Sequence, residues 1–276
     1  MKRFFGRLVA VVVFATAFVG TAGTASAASK ATYYLSLGDS LAAGAAKQYP
    51  DQLFNAARND YKQLRLVKMG CGGETALGMI VGDIGCAPGI YEHGSQLNEA
   101  VAFLQAHPGE VAFITIDIGA NDILGLYGCA DFEMFVIDGA CVDANLPTVE
   151  GNIATILQAL HGAAPGVPVL GMTYYDVFLG MWHLGFPSIA LADHSVVKEF
   201  NDGLAATYEA NATIVADVWG AFDSDNFEVI HTGDWGEVPT NVAHICDWTA
   251  FCLSLDIHPN VTGHGVIAEA FEDVLA

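Results

Sequence analysis

Residues 111–118 read Val-Ala-Phe-Ile-Thr-Ile-Asp-Ile. An almost continuous apolar run of this length is the pattern of a strand buried on both faces. Working upstream, Pro108 stops a helix that Ser95 caps, with Leu97, Val101 and Leu104 marking one face. Further out, 33–38 is a second strand, rich in aromatics and ending at Gly38, and 63–69 is a third. Downstream, 167–173 and 213–218 complete a set of five. Helices are expected at 49–60, 148–163, 188–210 and 261–275. Buried strands alternating with helices predict an α/β fold, a parallel sheet covered on both faces. No Ser/Pro-rich linker divides the chain, so residues 28–276 are expected to form one domain. Ligands on such sheets sit beyond the carboxyl ends of the strands.

The composition narrows the function. With 276 residues, 53% hydrophobic and 15% charged, the chain is neither disordered nor fibrous. No repeat of 20–50 residues marks a solenoid or propeller. Ten Lys+Arg against 31 Asp+Glu give a net charge of −21, which repels phosphate backbones and excludes nucleic acid as a partner. Surface acids keep a secreted protein dispersed, and an acid- or salt-adapted habitat is the other reading.

The first residues form an export signal. Lys2, Arg3 and Arg7 precede twelve apolar or small residues at 8–19, and Ala25-Ser26-Ala27 follows. Cleavage after Ala27 is expected, because twelve residues do not span a bilayer that needs about twenty. A secreted, extracellular protein with no membrane span follows. All six cysteines, Cys71, Cys86, Cys129, Cys141, Cys246 and Cys252, lie beyond the signal, so three disulfides are the default. Six cysteines allow fifteen pairings and the sequence does not choose among them. Their spacing falls into three local pairs, 71–86, 129–141 and 246–252. Zinc is the rival reading, with His244, Cys246 and Asp247 close together, but no C-x-x-C occurs.

Polar residues gather at the predicted strand ends. Gly38-Asp39-Ser40-Leu41 follows the first strand, and Ser40 there is either a nucleophile or a helix cap. Gly70-Cys71-Gly72-Gly73-Glu74-Thr75 lets backbone approach a ligand closely, or is a turn tied by a disulfide. Gly119-Ala120-Asn121-Asp122 offers an amide to an oxyanion, or a turn. Near the C-terminus, Asp256-Ile257-His258-Pro259 precedes the last helix, with Pro259 fixing the chain beside a histidine.

Taken in this order, the four blocks resemble the GDSL, or SGNH, family of serine hydrolases. The matching residues are Gly38-Asp39-Ser40-Leu41, Gly73 before Glu74-Thr75, Gly119-Ala120-Asn121-Asp122 and His258-Pro259. The resemblance implies a flavodoxin-like three-layer α/β/α sandwich with a five-stranded parallel sheet. It implies acyl transfer to water, with Ser40 as nucleophile, His258 as base, and Ser40, Gly73 and Asn121 as oxyanion donors. Such a route needs no metal or organic cofactor. The three small-loop cysteine pairs also look like those of secreted actinobacterial lipases and esterases. One departure stands out. The family's acid usually lies three residues before the histidine, where this chain has Leu255; its acid is Asp256, two before. Residues two apart in extended chain face one side, so Asp256 is placed to orient the ring. A backbone carbonyl is the alternative. Asp39 and Asp122 are read as supports of their turns, and His264 as structural.

The expected activity is a secreted lipase or esterase acting on a small-molecule or lipid ester, as a monomer. A polysaccharide O-deacetylase of the same family and a non-catalytic secreted binding protein on the same fold are the alternatives. Tyr174, Tyr175, Phe178, Leu179, Met181, Trp182, Leu184 and Phe186 crowd the segment past the fourth strand, as acyl pocket or as ordinary core. The stretch 131–142 is placed to edge the same site.

Overall fold

A computed structural model describes residues 32–44 and 46–275. The expected signal segment, 1–27, lies outside the described residues. Five strands form the central sheet: β1 (Thr32–Gly38), β2 (Leu64–Lys68), β3 (Val111–Asp117), β4 (Val169–Met172) and β5 (Ile214–Ala216). All pair in parallel, in the order β2-β1-β3-β4-β5. That is the flavodoxin-like order, whose direction of winding reverses between β1 and β3 and opens a crevice there. β1 is buried from Tyr34 to Gly38, and β3 on all but one residue, as the apolar runs predict.

Helices cover both faces. On one side lie α1 (Tyr49–Ala57) and the closing helix, α6 (Val261–Leu275), packed on each other and, through α6, on β4 and β5. On the other lie α3 (Gln96–Ala106), α4 (Gly139–Ala163) and α5 (Pro187–Ala210), with the short α2 (Ala76–Val81) against α3 and α4. Burial follows helical spacing: Tyr49, Leu53 and Ala57 in α1, and Val149, Ile153, Ile156, Leu157 and Leu160 in α4. Ser95 caps α3 by accepting from the Asn98 N–H at 3.2 Å.

The largest boundary difference from the sequence reading lies at the start of α4. α4 begins at Gly139, capped by Asp138, not after Pro147. A proline favours a first turn, yet Pro147 sits inside this helix, which forgoes one i→i−4 bond there. The stretch 131–142 holds a small hairpin, Ala130–Asp131 with Val136–Ile137, running into the first turn of α4.

The cysteines join as Cys71–Cys86, Cys129–Cys141 and Cys246–Cys252, the three local pairs. The first brackets Gly73 and α2. The second ties the base of the hairpin to α4. The third precedes the segment carrying His258. Among the described residues, the one grouping with metal-ligand geometry is Cys71, Glu74 and Cys86, whose two sulfurs are bonded to each other. No described helix is long and apolar enough to cross a membrane.

Candidate active site

Ser40 stands in the turn directly after β1, at the edge of the crevice. Gly38, where β1 ends, has φ +136°, and a Cβ there would lie 2.3 Å from the Asp117 carbonyl oxygen of β3. Only glycine permits that close pairing. From the other end of the chain, the short strand Asp256–Pro259 brings in His258. Its Nε2 lies 2.9 Å from Ser40 Oγ, across 218 positions of sequence. Its Nδ1 lies 2.6 Å from Asp256 Oδ1, which also accepts the His258 backbone N–H at 3.0 Å. Leu255 takes the left-handed conformation, φ 59°, and turns Asp256 into the strand. The Tyr175 hydroxyl holds this segment from the opposite wall by donating to the Ile257 carbonyl at 2.7 Å. Slight burial pushes the Asp256 carboxyl up, but the hydrogen bonds from the His258 backbone and ring and the ring's charge outweigh it. The group stays ionised, below its ordinary range, beside the imidazole it must balance.

Gly73 and Asn121 follow two other strands, β2 and β3. Gly73, φ +82°, lies in the turn after β2, close against Gly85 inside the loop that Cys71–Cys86 closes. The Asn121 amide donates one hydrogen to the Glu74 carbonyl at 3.1 Å and keeps a second. Among the described residues, neither the Ser40 nor the Gly73 N–H meets a protein acceptor. Asn121, Ser40 and His258 all line one cleft, and Gly73 is not among its lining residues.

That cleft has a volume of about 730 Å³ with its open mouth included. Past Ser40 its walls are apolar: Ile137 from the hairpin, Val142 from α4, Val196, Val197 and Phe200 from α5, and Phe178. The aromatic segment after β4 divides between the two roles read from sequence. Tyr174, Tyr175 and Phe178 form cleft wall, Leu179 and Met181 are buried, and Leu184 and Phe186 are exposed.

Two residues behind the site, Gln96 and Asp117, escaped the sequence reading. Gln96 clamps Gly38, accepting from its N–H at 2.6 Å and donating to its carbonyl at 3.0 Å. Glu74 is buried beside the Cys71–Cys86 disulfide, and that burial pushes its carboxyl up to about 7. Asp39 supports its own turn, accepting from the Leu41 N–H at 2.9 Å. Asp122 does otherwise. It accepts from Ala76 at 2.6 Å and so caps α2 in the neighbouring loop, while burial raises it to about 6. No local pattern marks Gln96; Asp117, an acid closing an apolar strand, was the visible signal for a buried polar cluster.

His264, on α6, is buried and accepts the Tyr49 N–H through Nδ1 at 3.3 Å. Burial, with the nearby charge of His258, lowers it to about 4. A histidine lowered in the fold leaves stability intact above its unfolded value, about 6.5, and costs stability as pH falls from there toward 4. The loss should reach about 2–3 kcal/mol. His264→Asn, which retains an acceptor, should flatten the fall of Tm between pH 6.5 and 4; an unchanged slope would show that other groups drive acid unfolding.

Known structures share this fold. An extracellular lipase from Streptomyces rimosus superposes with a TM-score of 0.59 at 14% identity, covering 88% of this chain and 100% of its own. A phospholipase A1 from Streptomyces albidoflavus gives 0.54 at 15%, covering 89% and 100%. A lipase from a goat rumen metagenome gives 0.57 at 17%, covering 88% and 97%. No curated protein sequence matches the chain. The family model of GDSL-like lipases and acylhydrolases, however, matches residues 36–266, from within β1 to within α6. The chain therefore belongs to the GDSL-like lipase/acylhydrolase family, the hydrolases its four motif blocks resemble.

Proposed function

We propose that the protein is a secreted carboxylic ester hydrolase, exported after removal of residues 1–27, with residues 28–276 as its one catalytic domain. The observation that carries this reading is the continuous contact Ser40 Oγ to His258 Nε2 to Asp256, at the mouth of an apolar cleft. Ser40 Oγ attacks the ester carbonyl while His258 Nε2 takes its proton. Asp256 balances the imidazolium and fixes the ring so that Nδ1 carries its hydrogen. The tetrahedral oxyanion takes hydrogens from the Ser40 and Gly73 backbone and from the free hydrogen of the Asn121 amide. His258 returns the proton to the departing alcohol, and water repeats the sequence to release the acid.

The acyl chain runs from Ser40 between α4 and α5. An apolar cleft wall favours medium or long acyl chains over acetyl, since each buried CH2 contributes about 0.8 kcal/mol. For that reason a lipase or esterase leads the polysaccharide O-deacetylase, although a Clostridium thermocellum family 3 carbohydrate esterase shares the fold at a TM-score of 0.50 and 12% identity. The test is hydrolysis of p-nitrophenyl esters from acetyl to palmitoyl. An optimum beyond acetyl is expected, and Val197→Trp should shift it to shorter chains with little change on the acetyl ester. An acetyl optimum that Val197→Trp leaves in place would instead favour the deacetylase. Complete inactivity of the folded, oxidised protein would favour the binding protein.

A further inference from the structure

Behind Ser40 lie two acids in contact. Asp117 closes β3, in register with Gly38, and is fully buried; Asp39 follows Gly38 and is 2% exposed. Their carboxyl groups adjoin in one buried cluster, the Asp117 carboxyl taking the Asp39 N–H. The other partners all donate. Asp117 accepts from the Tyr49 hydroxyl at 2.5 Å and from the Asp39 N–H at 3.2 Å. Asp39 accepts from the Leu41 N–H at 2.9 Å and the Tyr174 hydroxyl at 3.2 Å. No described ion pair brings a lysine or arginine to either carboxyl. Two carboxylates in such contact cannot both be charged, so one hydrogen must sit between them.

We propose that Asp117 is a carboxylic acid that donates its hydrogen to Asp39, a positioning residue that holds the Ser40 turn and keeps a single negative charge beside the nucleophile. The inference rests on the serine-hydrolase reading of Ser40 and His258. Burial pushes the Asp39 carboxyl up, but the Leu41 N–H, the hydrogens of Asp117 and Tyr174 and the charge of His258 all oppose it, so Asp39 is the ionised member. Asp117 has burial and the charge of Asp39 against it, and both push it well up. The remaining groups that face the pair reinforce the arrangement. Tyr174 and Tyr175 after β4 and Tyr208 on α5 feel the charge of Asp39 as neutral phenols, and Tyr34 on β1 and Tyr49 on α1 face Asp117 as neutral phenols. Glu74 and Asp122 feel the charge of Asp39 from the oxyanion side. One charge on Asp39 favours the imidazolium that forms as Ser40 attacks. A second, on Asp117, would oppose the oxyanion with no cation to offset it.

The test uses Asp117→Asn, which keeps a donor, and Asp117→Leu, which has the shape without one. Wild type at neutral pH should show the infrared C=O band of a protonated carboxyl that Asp117→Asn lacks. Asp117→Asn should keep at least about a third of wild-type kcat, whereas Asp117→Leu should lose roughly 10- to 100-fold in kcat with KM little changed. The alkaline fall in wild-type kcat, as the shared hydrogen is lost, should be missing in Asp117→Asn. An unchanged infrared spectrum in an active enzyme, or equal kcat in the two variants, overturns the inference and leaves the hydrolase reading standing. A band that disappears in Asp117→Asn from a wild type that neither hydrolyses esters nor reacts with a fluorophosphonate keeps the shared hydrogen and sinks the hydrolase reading. Should Asp117→Leu fail to fold, the spectrum and pH profile of Asp117→Asn decide alone.

Discussion

Ser40→Ala is expected to lower kcat for ester hydrolysis by about 10⁴-fold or more, with the fold intact and KM nearly unchanged. The hydroxyl is the group whose oxygen would form the acyl bond, and its turn is held by backbone and by Asp39, not by Oγ. The described hydrogen bond of Oγ runs to His258, so its removal frees a half-exposed imidazole and leaves no buried group unpaired. His258→Ala should cost about as much, because a nucleophile and its base act as one unit and their losses do not add. A fluorophosphonate should label wild type and not Ser40→Ala. Labelling that survives the substitution, or activity within tenfold of wild type, would place the nucleophile elsewhere.

Asn121→Ala is the second large effect, expected to lower kcat by roughly 10²- to 10³-fold with a much smaller change in KM. Its amide is the one side-chain donor facing the cleft at the end of β3. The first hydrogen is committed to the Glu74 carbonyl at 3.1 Å, and that bond aims the second. A donor fixed before the substrate arrives stabilises the transition state without a reorganisation cost. A loss seen in KM, with kcat preserved, would mean that Asn121 only shapes the cleft.

How much of this was written in the chain depends on how local each feature is. The apolar run 111–118 and the alternation around it expose the parallel sheet, since strands buried on both faces leave no polar face to disguise them. Ser40, Asn121 and His258 were visible because each occupies a strand end in a short, distinctive block. The start of α4 was hidden because proline is read as a boundary, and only packing reveals that Pro147 is carried inside. The clamps that Gln96 and Tyr175 make were hidden for a different reason. They act on Gly38 and Ile257, which lie 58 and 82 positions away, and no pattern along the chain encodes such a pairing.

The distance between Ser40 and His258 along the chain gives the molecule a divided character. Ser40, Gly73 and Asn121 all precede the exposed turn at Gly185, while His258 and Asp256 follow it. A chain opened at that turn would yield two fragments, each holding half of the reaction and neither able to complete it. Their only route to turnover is to rebuild the layer where β5 meets β4 and α6 meets α1. Coloured product would then count reassembled pairs, and the protein would serve as a two-piece reporter whose signal is its own reconstitution.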